Sequence, residues 1–423
     1  MRRDAAIALG LLAGAWAATL WLAPFSDERV NDLFVYRVLA EQVLDGGLPY
    51  RDAFLEYPPL AAPVIALPGL IGTGAELFRA AFAGWMLLLA GTCVLLCGAL
   101  ATRSGGSRRT GMLAMALAPL LCGAMVRTHF DLAPVALTLA ALLLLCDGRS
   151  RAGPALLGAA TLVKGYPLLA AAPALAWLAG REGRCAALKA AAWLAAVITV
   201  GCGLALAASP EGALEALRYQ GDRPVQIESA PATALLALDA IGSADARSVS
   251  SHRSDGLSHP ADAAVVAAFD GLLLLALGLL CRAAWKRPTA RSLVLAALAT
   301  AVAFAALGKV LSPQFLIWLT PLSALALAWR ERALAAVSAL AILLTQVEFP
   351  ARYADVVARE PGAVALVALR NLALLAVLAL ALRALSRPEA AAARSGWPGR
   401  PRRPRPARRS ARGLPRRSRT SPG

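Results

Sequence analysis

Along the chain, long apolar blocks alternate with short polar breaks. The blocks are 5–24, 77–100, 111–127, 130–146, 154–164, 167–180, 187–208, 263–282, 292–307, 314–329, 333–348 and 363–385. A hydrocarbon core of about 30 Å is crossed by about 20 apolar residues in a helix. The pattern therefore predicts an all-α polytopic membrane protein with about 12 transmembrane helices. The pair 154–164 and 167–180 is short for two ordinary crossings. It reads as a hairpin of short helices or a re-entrant element, broken at Gly165 and Pro167. Such backbone is tolerated at membrane depth only when packed in protein or lining a wet cavity. The first block follows Met1-Arg2-Arg3, as in a signal peptide. Its length and the lack of a small-residue cleavage pattern predict an uncleaved first helix.

Polar residues gather in two long segments, 25–58 and 209–262. In the first, Leu33, Val35, Tyr36, Leu39, Ala40 and Val43 share one face of a short helix over 33–44, expected to lie towards the bilayer. Asn31 or Asp32 precedes it as a cap. Gly46-Gly47 and Pro49 make a turn, and Pro58-Pro59 closes the loop. The second segment holds amphipathic stretches at 211–220 and 230–241. Its remainder, 243–262, is rich in Ser, Asp, Ala and His, and reads as a mobile outer segment without chemistry of its own. Residues 1–385 form the membrane domain, and 386–423 read as a disordered Arg/Pro-rich tail.

Composition sharpens this. The chain is 58% hydrophobic and 16% charged, with mean hydropathy +0.61. Soluble chains hold roughly 45–50% and about 25%, so soluble, disordered and disulfide-stapled classes are excluded. The seven Cys lie in or beside apolar blocks and read as small buried side chains. The net charge of +17 is mostly a property of the tail, where 12 Arg face one acid, Glu389. No specific nucleic-acid partner is implied; the tail is expected to be drawn to anionic membrane lipids.

Charge also orients the chain. With the N-terminus in the cytoplasm and the crossings alternating, the inner segments together with Arg383 hold 29 of the 43 Lys and Arg. That asymmetry predicts a multi-pass protein of the inner (plasma) membrane, with both termini cytoplasmic and both long segments outside. Neither ATP nor nucleotide sugars are found there. An enzyme working on that side needs a substrate already activated, often on a lipid.

Several segments bear on chemistry. After Asp32 come Gly47-Leu48-Pro49-Tyr50-Arg51-Asp52 and Glu56-Tyr57-Pro58-Pro59-Leu60. Further on lie Arg127-Thr128-His129-Phe130-Asp131-Leu132-Ala133-Pro134 and Lys164-Gly165-Tyr166-Pro167. The last are Arg223-Pro224-Val225-Gln226-Ile227-Glu228 and Gly308-Lys309-Val310-Leu311-Ser312-Pro313-Gln314. In this order, across residues 27–318, the set resembles glycosyltransferase family 87, integral membrane enzymes of the GT-C superfamily. The 127–134 stretch differs by one inserted-looking residue, and the bulk of the second long segment and the tail lie outside the resemblance. The resemblance implies a GT-C-like bundle. It implies transfer of a hexose, usually mannose, from a polyprenyl-phosphate-linked donor to a hydroxyl of a lipid or glycan acceptor. It also implies inversion, with a first-loop Asp as general base, which Asp32 matches.

The chemistry is consistent with that assignment. Inverting transfer takes one carboxylate to accept the proton of the attacking hydroxyl. It also takes positive charge for the departing lipid phosphate. Arg127, Lys164, Arg223 and Lys309 fall at the outer ends of predicted spans and are candidates for that phosphate. Lys164 stands in an otherwise apolar stretch, where a charge is costly and usually functional; the alternative is snorkelling to the headgroups. Arg127 and Asp131 alternatively pair with each other in a tight turn. Weaker substrate-binding candidates are Tyr36, Glu56, Tyr57, His129, Asp131, Tyr166, Gln226, Glu228, Ser312 and Gln314. His129 is also a second acid/base candidate. With no Asp-x-Asp pair in the outer loops and no His/Cys cluster, no metal or cofactor is expected. Arg370-Asn371 read as a polar contact inside the bundle, and Trp16, Trp21, Trp177, Trp193, Trp318 and Trp329 as an interfacial belt. The competing reading is a secondary transporter; within enzymes, a GT-C scaffold handling another sugar such as arabinose stays open.

Overall fold

The computed structural model describes residues 2–242 and 246–387; the tail from 388 onward lies outside the described residues. The first helices are α1 (Arg2–Trp21), α2 (Leu33–Leu44), α3 (Ala61–Ala66) and α4 (Ala75–Arg103). Next come α5 (Arg108–Ala116), α6 (Ala118–Cys122), α7 (Met125–Thr128) and α8 (Leu132–Cys146). The middle holds α9 (Ala152–Val163), α10 (Pro167–Glu182), α11 (Arg184–Ala208), α12 (Pro210–Gly221) and α13 (Ala230–Ala240). The last are α14 (Asp262–Lys286), α15 (Ala290–Leu307), α16 (Thr320–Ala328), α17 (Arg332–Glu348), α18 (Tyr353–Val357) and α19 (Pro361–Ser386). Tighter 3₁₀ turns cover Leu67–Leu70 and Pro313–Leu319.

Among the described residues 6 helices, α1, α4, α11, α14, α15 and α19, are long and apolar enough to cross a membrane. Shorter helices occupy the other apolar blocks. The block 111–127 departs from a single helix. Pro119 opens α6, and Gly123 ends it at φ 58°, ψ −148°, a conformation essentially reserved for glycine. The break between α9 and α10 falls at 164–166, as the Gly165 and Pro167 spacing predicts.

Helix α15 lies at the centre, and its alanines let α10, α14 and α19 approach closely. In contrast, α14 and α11 are peripheral: Leu272, Leu274, Leu275, Leu188, Val200 and Leu204 are exposed. An outward face so uniformly apolar suits hydrocarbon and not water. The apolar face of α2 does not point at lipid as expected. Leu33, Tyr36, Leu39 and Ala40 are buried against α3, α4 and the 67–70 turn, while Phe34 is exposed.

Long-range contacts sort the loops into two ends. At one end Arg103 meets Asp147 at 2.6 Å, Arg291 meets Glu331 at 2.7 Å, and Trp177 donates to the Thr289 carbonyl at 2.8 Å. At the other, Arg127 meets Glu28, Lys164 meets Asp131, and Gln226 meets Ser312. Here a small sheet also forms from β1 (Val225–Gln226), β2 (Arg247–Ser251) and β3 (Ser254–Ser258), antiparallel in the order β1-β3-β2. Much of the segment read as a mobile outer one is therefore a hairpin, β2 paired with β3. Its register pairs Gln226 with Gly256, where a Cβ would come within 2.8 Å of Pro224 and the Val225 carbonyl oxygen.

Candidate functional site

Asn31, not Asp32, serves the start of α2. Its Oδ1 accepts from the Leu33 N–H at 2.9 Å, and its Nδ2 donates to the Glu28 carbonyl at 2.6 Å. Asp32 holds the cap position, but its side chain makes no capping bond. Its carboxylate instead accepts from Tyr36 Oη at 3.0 Å and lies 3.6 Å from His129 Nε2, with the side chain 36% exposed. Tyr36 is fixed by a stack on Phe82 and an edge contact with Phe130. Burial, with Asp32 adjacent, pushes the Tyr36 phenol well above its ordinary range, so it remains a donor. His129 Nδ1 lies 3.3 Å from the Met125 carbonyl oxygen and 3.1 Å from Thr128 Oγ1. A proton on Nδ1 donated to that carbonyl leaves Nε2 as the nitrogen facing Asp32.

One turn further on, Asp131 and Lys164 form a buried pair. Lys164, extended at the end of α9, donates to Asp131 Oδ1 at 2.7 Å, and Trp318 Nε1 donates to the same oxygen at 2.6 Å. The ammonium lies 4.8 Å from the Phe130 ring centre and 5.6 Å from that of Tyr57. Tyr166 stacks on Trp318 at 3.9 Å. Asp131 Oδ2 is sealed from solvent without a hydrogen-bond partner among the described residues. The tight Arg127–Asp131 turn offered by the sequence does not form. Extended backbone at His129 (φ −125°, ψ 146°) separates the two. Arg127 instead donates to Glu28 and to the Thr19 carbonyl, and Arg79 reaches the other Glu28 oxygen at 3.3 Å.

The second long segment meets the bundle at Gln226 and Glu228. Gln226 Nε2 donates to Glu228 at 3.0 Å, and the Gln226 side chain lies 3.4 Å from Ser312 Oγ. The Gln226 N–H donates to the Lys309 carbonyl, and Lys309 Nζ donates to the Gly221 carbonyl at 2.7 Å. The Glu228 carbonyl accepts from Arg370 at 2.7 Å and Asn371 at 3.2 Å, so these two residues hold a loop as well as a helix interface. Glu228 is fully buried; that burial, with Glu348 beside it, pushes its carboxyl well above the usual range. Arg223 makes two long contacts, to Gln226 at 3.4 Å and Ser254 at 3.3 Å, and its buried Nε has no partner among the described residues. Gln314 opens the 313–319 turn, half-buried.

Glu56 lies between these groups. Burial pushes its carboxyl up, Arg253, Arg223 and Lys164 pull it down, and Asp32 adds to the rise. Asp32, Arg223, Lys164 and Arg253 thus all act on one carboxyl drawn from the first loop. Arg253 approaches it at 3.5 Å.

Sequence reasoning passed over Glu28, Tyr219, His252, Arg253 and Glu348 as candidates. Their roles depend on partners distant in the chain, and a short Ser-rich hairpin reads like a loop. The tryptophan belt is also partial: Trp16, Trp177, Trp318 and Trp329 are buried, while Trp21 and Trp193 are exposed. Trp318 spends its indole N–H on Asp131. Among the described residues no group of three or more His, Cys, Asp or Glu side chains is placed to hold a metal ion.

No protein-family model matches the chain, and no curated protein sequence does. Among solved structures, it is similar to an oligosaccharyltransferase of Archaeoglobus fulgidus, crystallised with a tethered acceptor peptide carrying the NVT sequon. Identity is 14% and the TM-score 0.39, over 89% of this chain and 55% of that one. The chain thus spans about half the length of that enzyme. A likeness at this level assigns neither a fold family nor an activity.

Proposed function

We propose that this protein is an integral membrane glycosyltransferase of the GT-C type, akin to glycosyltransferase family 87. It crosses the plasma membrane about 12 times, with both termini cytoplasmic and the site facing outward. It moves a hexose, mannose by the resemblance, from a polyprenyl-phosphate donor to a hydroxyl of a lipid or glycan acceptor. The observation that carries this reading is the state of Asp32. A residue at a helix start would ordinarily be spent on capping; here Asn31 takes that contact and Asp32 stays partly exposed beside a histidine.

In the proposed step, the acceptor hydroxyl attacks the anomeric carbon as the carbon–oxygen bond to the lipid phosphate breaks. The hydroxyl proton passes to Asp32, and His129 Nε2, 3.6 Å away, can take it on. Tyr36 holds the carboxylate in place. The departing polyprenyl phosphate carries the leaving electron pair and needs cationic donors. Of the four cations, Arg223 has an unpartnered Nε, and Lys309 is engaged through one carbonyl contact. These two are assigned to the phosphate. Lys164 and Arg127 are committed to Asp131 and Glu28, and act by holding the segments around Asp32 together. Tyr57, Tyr166, Gln226, Glu228, Ser312 and Gln314 serve as weaker substrate contacts.

The test is incubation of purified protein in lipid with radiolabelled polyprenyl-phosphate mannose, followed by lipid and glycan analysis. Labelled product from the wild type and none from Asp32→Asn is expected. Near-normal transfer by a folded Asp32→Ala protein removes the residue from the base role.

A further inference from the structure

The hairpin over the site carries its own chemistry. Its two turn residues, His252 and Arg253, both adopt left-handed backbone (φ 53° and 52°). That is the geometry of a two-residue hairpin turn, where Asn and Gly usually serve. Larger side chains held in this conformation are strained, and such strain concentrates at functional positions.

The turn brings together three segments far apart in the chain. Arg253 reaches Glu56 at 3.5 Å, and the His252 ring lies 4.7 Å from that of Tyr219. The ring of Tyr219 meets that of Phe54 at 5.3 Å. Gln220 Nε2 donates to the Glu56 carbonyl at 3.0 Å, fastening α12 to the first loop. Tyr219 Oη is sealed from solvent, yet no group among the described residues bonds to it. A buried hydroxyl without a partner is costly, and a ligand oxygen is one way to satisfy it. The Arg253–Glu56 contact is long and half of the Arg253 side chain is exposed, so both groups keep spare hydrogen-bonding capacity. Burial with Glu56 nearby raises the Tyr219 phenol to about 12, and Asp32 adds to that rise. The cluster therefore lies within the electrostatic reach of the proposed base.

A carboxylate, a guanidinium and a phenol hydroxyl beside aromatic faces match the surface of a pyranose. Carboxylate oxygens accept from neighbouring sugar hydroxyls, the guanidinium donates to ring and hydroxyl oxygens, and ring faces cover the C–H side. A bare lipid alcohol offers one hydroxyl and leaves most of these groups unsatisfied. We propose that Glu56, Tyr219, His252 and Arg253 form an acceptor subsite for a hexopyranose ring, making the acceptor a saccharide. The proposal rests on reading Asp32 as the base of the transfer.

Two measurements on the full-length protein in lipid nanodiscs test it. The first is saturation-transfer NMR with methyl α-mannopyranoside and no donor. Signal is expected from the wild type and from Asp32→Asn, with clear loss in Arg253→Ala and weakening in Tyr219→Phe. The second is transfer from polyprenyl-phosphate mannose to octyl α-mannoside, with decanol as the non-sugar acceptor. Arg253→Ala is expected to raise the KM for octyl α-mannoside about tenfold, while the donor KM moves far less. Absence of sugar signal from the wild type, or an unchanged acceptor KM in Arg253→Ala, overturns the subsite. If Asp32→Asn is inactive while Arg253→Ala keeps the wild-type acceptor KM, the subsite falls and the base assignment stands. If Arg253-dependent sugar binding persists but Asp32→Asn still transfers, the base assignment falls instead.

Discussion

The two ends of the helical bundle both carry exposed ion pairs, Arg253 with Glu56 among them at the second, but they differ in the charge they bury. At the end holding Arg103, Asp147, Arg291 and Glu331, charged residues meet in partly exposed pairs. At the other, Asp131, Lys164, Glu228, Glu348 and Arg370 are almost completely buried. Among the described residues, Asp131 Oδ2, Tyr219 Oη, Arg223 Nε and Asn371 Oδ1 at the second end are buried without a hydrogen-bond partner, as is Arg108 Nε at the first. The first end secures the helices with exposed pairs; the second, which we propose to bind substrate, buries its charges.

That contrast can be broken by experiment. The largest effect is expected at Asp32. Asp32→Ala should lower transfer by about 10³-fold, with little change in melting temperature because it makes no cap. Asn31→Ala should do the converse on stability, costing about 1 kcal/mol as a lost cap. If Asp32→Ala destabilises as much as Asn31→Ala, capping was its role after all. Next comes the buried pair. Asp131→Ala leaves the Lys164 ammonium uncompensated among aromatic rings and should cost about 3–5 kcal/mol, read by thermal unfolding in detergent. A cost below that of the exposed pairs would show the site end to be no more demanding than the other.

The third effect is a pH dependence. The folded-state pKa of Glu56 is raised, chiefly by burial, so the native state holds its proton more tightly than the unfolded chain. Its contribution to stability is therefore most favourable at low pH, and is lost as pH rises from about 4.5 through the raised value. Glu56→Gln should flatten the melting-temperature profile over that interval, and an unchanged slope would place the titration elsewhere. Smallest is Arg103→Ala at the opposite end. Its pair with Asp147 is 46% and 35% exposed, and its loss should cost less than about 1 kcal/mol. A larger loss would erase the distinction between the ends.

Much of the helical layout was legible because it is local. Apolar runs, prolines and glycines act within a few residues, so α2 begins and ends where its periodicity places it, and α9 and α10 part at Gly165 and Pro167. Gly123 shows the limit: one glycine and a nearby proline divided an apolar run that hydropathy alone reads as continuous. Candidate residues were legible as types, since a carboxylate or a lysine in an apolar chain stands out. Their partners were not. Arg127 has Asp131 four residues away and pairs with Glu28, 99 residues away. Lys164 pairs across 33 residues, and Trp318 reaches Asp131 across 187.

By itself, the sequence determined that this chain is helical and apolar, which polar groups it carries and roughly where helices start and stop, because backbone hydrogen bonding and hydrophobic periodicity are satisfied within a segment. Only the tertiary structure decided which charges are spent on each other and which remain available. Each ion pair depends on two side chains arriving within a few ångströms, and packing of the bundle, not spacing along the chain, sets that distance.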